Sequence, residues 1–247
     1  NKSHVSEERL YSIFNHGENV EDDLSLINAS FDDSIHSLSS GRYLLAIDAN
    51  TGLLLFAPLA VSGAQFISDY QQGVFISGIG FPNLSCKSYT NNSNSETLDE
   101  PIFYSSFLSS LFECQWFSTP KGHLTLYPVA QTNLGTNRIV LAVTPSLQGN
   151  QNSPQTSYLG DLLLQSTYSK DLFLISLESD GTWSSIQSIE GDGDENLLGL
   201  ISLNHHKLLV HLSTQNGINI GETYYFGEVV LQVEIINQQI QFEIEII

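Results

Sequence analysis

The chain has 247 residues, 41% of them hydrophobic, with 27 acidic against 8 basic side chains and a formal net charge of −19. This length and apolar content are enough for a substantial single-domain core and exclude a disordered chain. The acidic balance repels phosphate backbones and anionic lipid, which makes nucleic acid and anionic membrane poor partners and suits solubility, cations or a basic partner; a plain solvated acidic surface is the simpler reading.

Residues 6–15 predict a short helix. Ser6 is the N-cap, Glu7 and Glu8 fill the first turn, Gly17 lies just past the end, and Leu10, Ile13 and Phe14 form the apolar side. Val20, Leu24, Ile27, Phe31, Ile35 and Leu38 continue at helical spacing. Asn28, Ser30, Asp32, Asp33 and Ser34 are weak helix formers, so strand and turn is an equal reading there. Residues 1–40 are expected to pack as an N-terminal segment on a single all-β domain over 41–247.

From Gly41 the apolar period becomes two. Runs at 42–48 and 52–59 flank Asp48-Ala49-Asn50-Thr51-Gly52, whose residues supply turn chemistry. Residues 74–79 predict another strand, and 83–100 a polar, Ser/Asn-rich mobile loop. The stretch 102–117 is rich in aromatics. Residues 123–129 and 138–144 read as paired strands, and 148–156 as a second polar loop. Asp180-Gly181 marks a hairpin between 172–177 and 182–189. The strands 198–203 and 207–212 flank a His205-His206 tip, with Leu203 opposite Leu208 and Ile201 opposite Val210. From 229 to 247 the alternation is unbroken. A turn at Asn237-Gln238 pairs Ile235 with Ile240, Val233 with Phe242, Leu231 with Ile244 and Val229 with Ile246.

These hairpins predict a mainly β, antiparallel meander. Their cadence suits a β-propeller of about five blades of roughly 40–50 residues each. A two-sheet sandwich or jelly roll is the alternative.

Cys86 and Cys114 lie 28 apart. They form a disulfide in an oxidising compartment or buried thiols in the cytosol. With the Ser- and Asn-rich composition, the expectation is an extracytoplasmic or secreted protein, with cytoplasmic as the alternative. The chain has no Met, which fits a truncated chain or a processed, exported one. The segment 1–10 is polar and charged, unlike a signal peptide, and no apolar run approaches the roughly 18–20 residues of a spanning helix. Asn-x-Ser sequons at Asn28, Asn83 and Asn91 carry meaning only in a eukaryotic secreted protein.

Three constellations point to function. Asp192, Asp194 and Asn196 place oxygen ligands at alternate positions, as a tight calcium loop does; a plain acidic turn is the simpler reading. His205, His206 and His211 fit a surface turn better than a metal site. Tyr224, Tyr225 and Phe226 form an aromatic cluster suited to an exposed interface. The chain carries no nucleophile elbow, Walker loop, dinucleotide fingerprint or zinc-protease motif. Trp116, Phe117, Tyr104 and Trp183 suit core packing more simply than sugar stacking. The expected function is a non-catalytic binding or scaffold module presenting loops from a sheet frame to a protein or glycan, with no cofactor or with calcium. One alternative is a carbohydrate-active hydrolase or lyase with clustered acids, Asp48 and Glu178 among the candidates. The other is a calcium-stabilised surface or adhesion protein.

Overall fold

The protein is described from a computed structural model. It covers residues 9–16, 41–48, 50–51, 55, 59–70, 73–80, 86, 88–90, 102–122, 124–135, 138–146, 155–166, 171–191, 194–220, 223–236 and 239–243. Among these residues every regular element is a strand. The first sheet holds β1 (Arg9–His16), β2 (Gly41–Asp48) and β3 (Leu59–Ala60). The second joins β4 (Ala64–Tyr70), β5 (Gly73–Gly80), β6 (Ser88–Thr90), β7 (Ile102–Ser109) and β8 (Cys114–Ser118) in the order β4-β5-β7-β8-β6. A small sheet is made of β9 (Lys121–Gly122), β12 (Gln155–Leu159) and β13 (Leu162–Ser166). The third main sheet is β10 (Thr125–Leu134), β11 (Arg138–Ser146), β14 (Leu172–Glu178) and β15 (Trp183–Ile189). The last is β16 (Glu195–Ser202), β17 (Lys207–Ile220), β18 (Thr223–Ile236) and β19 (Gln239–Glu243). All pairings are antiparallel except β6 with β8.

The four main sheets pack face to face in chain order through three cores. Leu44 and Val61 of the first sheet region meet Val74, Ile76, Tyr104 and Leu108 of the second. Phe75, Phe103 and Phe107 on its other face meet Ile139, Leu141, Phe173 and Ile175 of the third, with Leu159 and Leu164 of the small sheet. Val140, Ala142, Leu172 and Leu174 on the third sheet's opposite face meet Leu208, Val210, Leu231 and Val233 of the last. Neighbouring residues of β11 and β14 therefore enter different cores, which is why those strands are apolar at nearly every position. The leading strands also lie side by side in order: β1 against β4, β4 against β10, β10 against β16. No shared core joins the first sheet to the last among the described residues, and no closed propeller is seen among them.

Three expectations need correction. Residues 9–16 are strand, not helix: β1 pairs with β2 along its whole length, from Arg9 opposite Asp48 to His16 opposite Gly41. Ladder bonds and the seat of half-buried Ile13 against the first core outweigh a weak helix preference. The loop 83–100 contains β6, held parallel to β8 with Ser88 opposite Trp116. Cys86 and Cys114 form a disulfide at the same 28-residue offset as that pairing, so ladder and bridge enforce one register. The third correction is the hairpin at 203–207. Leu200 opposes Val210 and Ser202 opposes Leu208, one residue away from the expected register. The Asn204 side-chain oxygen accepts from the His206 and Lys207 amides at 2.9 and 3.0 Å, which tightens the turn. A bulge between Leu197 and Gly199 then lets Leu197 and Leu200 both pack on the core. The C-terminal hairpin has the expected register where it is described, with Ile235 opposite Ile240 and Val233 opposite Phe242. Residues 17–40 and the three sequon asparagines lie outside the described residues.

Candidate functional site

β17 and β18 are paired from Lys207 opposite Glu234 to Ile220 opposite Thr223, fourteen residues each. Their partners β16 and β19 are shorter, so the far halves run past the sheet as a two-stranded arm. A register break between Thr214 and Ile218 bends the arm. Gly217 has φ +89° there, a left-handed conformation that glycine adopts without strain, and its amide donates to Thr214 Oγ1 at 2.9 Å. Beyond the bend, Ile218 forms a bridge with Gly191, which brings the arm back onto the sheet.

Tyr224, Tyr225 and Phe226 are on this arm. They were expected in a connecting segment and are part of β18 instead. Strand alternation splits them: Tyr225 packs on the core shared by the third and last sheets, while Tyr224 is 53% exposed and Phe226 70% exposed. The Tyr224 ring lies over Gly217, where any Cβ would collide with it, and its hydroxyl donates to the Asn216 carbonyl. Tyr224 is thus an exposed aromatic held in one place.

At the root of the arm lies Glu195, the first residue of β16, opposite Thr214. It is 2% exposed, and neither carboxylate oxygen has a hydrogen-bond partner. Burial, and then the negative charges of Asp171, Asp194 and Glu190, push its carboxyl up to about 8. Asp171 is fully buried and accepts from Ser166 Oγ at 3.1 Å. Sequence reasoning missed Glu195, because one acid in the run Asp192-Gly193-Asp194-Glu195-Asn196 looks like another. The only clue is that alternation from inward-facing Leu197 points residue 195 inward as well.

The remaining candidates are dispersed. Asn196 is exposed and Asp194 half-exposed, while Asp192 lies outside the described residues. Among the described residues no group of three His, Cys, Asp or Glu side chains is placed to hold a metal. His205 and His206 are exposed in their turn, and His211 Nε2 lies 3.4 Å from Glu228 Oε2 on the open face of the last sheet. Asp48 accepts from the Asn50 and Thr51 amides at 2.8 and 2.9 Å, and these bonds hold its carboxyl below the usual value. Glu178 is engaged by Arg138, with Nη2 at 2.6 Å and Nε at 2.7 Å. Trp116, Phe117, Tyr104 and Trp183 are buried, and the two indoles donate to Ser179 O and Ser118 Oγ.

Comparison with protein-family models, with curated proteins and with solved structures gives no match to this chain.

Proposed function

We propose that the chain is a non-catalytic binding module whose contact surface is the β17–β18 arm, with Tyr224 and Phe226 as its anchors. The observation carrying this reading is the exposure of two large aromatics on one face of a fixed strand, one of them clamped by its own hydroxyl. Rigid aromatics offer large contact area at small conformational cost. A surface of net charge −19 favours a neutral glycan or a basic protein partner. The hydrolase reading lacks such support, since Asp48 serves a turn and Glu178 an ion pair.

The frame is read as a run of blades from a propeller, supported by meander sheets whose leading strands adjoin in chain order. The disulfide supports an extracytoplasmic setting, where such bonds persist.

A double substitution, Tyr224→Ala with Phe226→Ala, tests the reading. Binding to a glycan array or a panel of basic proteins should fall at least tenfold, with the melting temperature of the wild type retained. Equal binding by the two proteins would dismiss the arm as the contact surface.

A further inference from the structure

Given that the arm is the contact surface, we propose that it takes an extended, basic peptide as an added strand along the outer edge of β18, at Tyr224 and Phe226. Residues 221–222 separate β17 from β18, and Ile220 stands opposite Thr223. A two-residue turn is closed by a hydrogen-bonded pair, and along an antiparallel ladder such pairs alternate with unbonded ones. The main-chain groups of Thr223 and Tyr225 therefore face β17, and those of Tyr224 and Phe226 face away from it. At the far end of β18 the Ile235 amide donates to the His206 carbonyl at 2.8 Å, so odd-numbered residues face β17 there too. β19 takes up the outer edge only from Gln232 to Ile236. Among the described residues no strand adjoins that edge at Tyr224 and Phe226. The outer edge of β17 differs, because Gly191 is bridged to Ile218 and occupies it.

An open edge offers alternating N–H and C=O groups, which another extended chain can pair with. Strands guard such edges with Pro or Lys, and β18 has neither from Thr223 to Ile236. Tyr224 and Phe226 are two residues apart, so they repeat at the roughly 6.6 Å spacing of alternate side chains in an added strand. Their exposed rings then stand beside the side chains opposite, and an aromatic face pairs well with β-branched groups and with Lys or Arg. Charge selects among extended chains. Glu228 is exposed on the same face, two residues beyond Phe226, and exposed Glu190 precedes the Gly191 bridge. With a net charge of −19, the protein draws a basic strand to this edge and repels a second copy of itself. A neutral glycan would use the rings but leave the main-chain groups unmatched.

Amide hydrogen exchange, followed residue by residue by NMR at low salt, tests the edge. In the free protein the Tyr225 amide should be protected, while the Tyr224 and Phe226 amides exchange as in an open chain. A saturating peptide of about eight residues, alternating lysine and threonine, should slow the Tyr224 and Phe226 amides by about tenfold or more. The same peptide with glutamate for lysine should bind about tenfold more weakly. Phe226→Pro, which removes the outward N–H, should bind the lysine peptide about tenfold more weakly than Phe226→Ala, which keeps it. The exchange measurement needs no variant, so the test stands even if the proline chain fails to fold. Tyr224 and Phe226 amides already protected in the free protein overturn the proposal, and protection that grows with protein concentration assigns the edge to a second copy instead. Peptide binding that is lost in Tyr224→Ala with Phe226→Ala, while both wild-type amides stay open, keeps the arm as contact surface and rejects strand addition. No response to about 1 mM lysine peptide rejects strand addition too. Binding of a basic protein or glycan that ignores the double substitution, by contrast, removes the arm itself as the contact surface.

Discussion

The third and last sheets share one core and solve opposite problems. β11 and β14 lie between two neighbours and are buried at Ile139 through Val143 and at Leu172 through Leu177. β17 and β18 bury only alternate residues: Leu208, Val210 and Leu212, and Val229, Leu231, Val233 and Ile235. Their other face carries Leu209, His211, Val230, Gln232 and Glu234, all partly exposed. The rule that follows is simple. The number of covered faces, not strand length or propensity, decides whether a strand reads as a continuous apolar run or as an alternation.

The strongest way to break this comparison is a matched pair of truncations. Ile175→Ala, in the middle of β14, should cost about 2–5 kcal/mol, since it opens a cavity in a fully buried core. Leu209→Ala, on the open face of β17, should cost less than about 1 kcal/mol. Urea denaturation midpoints measure both. Equal losses would mean that the last sheet is also covered on both sides.

The disulfide comes next. Replacing Cys86 and Cys114 together by Ala should lower stability by about 3–4 kcal/mol on the loop-entropy model, read from the same denaturation curves. A loss under about 1 kcal/mol would mean that the β6–β8 ladder holds this register without the bridge.

The same contrast explains what was legible in the sequence. The Val233–Phe242 and Ile235–Ile240 pairs were readable because the inner face of β18 is buried at Val233 and Ile235, and strict alternation leaves one register for its partner. The β14–β15 hairpin was readable from Asp180-Gly181. Register failed at Leu203, where Asn204 tightens the turn and a bulge follows, because neither device has an apolar signature. Residues 9–16 misled because a helix cap and a strand edge can share the same polar letters; only pairing with β2 separates them. Tyr224 and Phe226 were found as aromatics and misplaced as loop, since the arm's extra length lies beyond the neighbouring strands. Glu195 was invisible for a deeper reason: burial of one acid among several is set by tertiary contact.

Glu195 also sharpens the comparison, since it is a buried acid at the start of β16, on the side where Leu197 and Leu200 pack on the core. Its folded carboxyl titrates near 8 against an ordinary 4.5. Between those values, the unfolded chain releases a proton that the folded chain keeps. Stability therefore falls as pH rises through this window and levels off above it. Glu195→Gln should remove the slope, melting above the wild type at pH 8 and close to it at pH 4.5. Parallel pH profiles for the two proteins would mean that Glu195 is hydrated rather than buried.

The smallest expected effect lies on the open face. Ile201 is 59% exposed, with Leu198 on the same edge strand and Leu203 just past its end also exposed. An apolar side chain already in water contributes little to folding, so Ile201→Ser should shift stability by no more than about 0.5 kcal/mol. The direction is informative as well. Thr and Ile favour strands while Ser does so less, so a slight loss is expected from strand preference alone. A loss above about 1 kcal/mol that grows with protein concentration would show instead that this edge is covered by another copy in solution. The one-sided burial that separates the last sheet from the third would then belong to the isolated chain and not to its assembly.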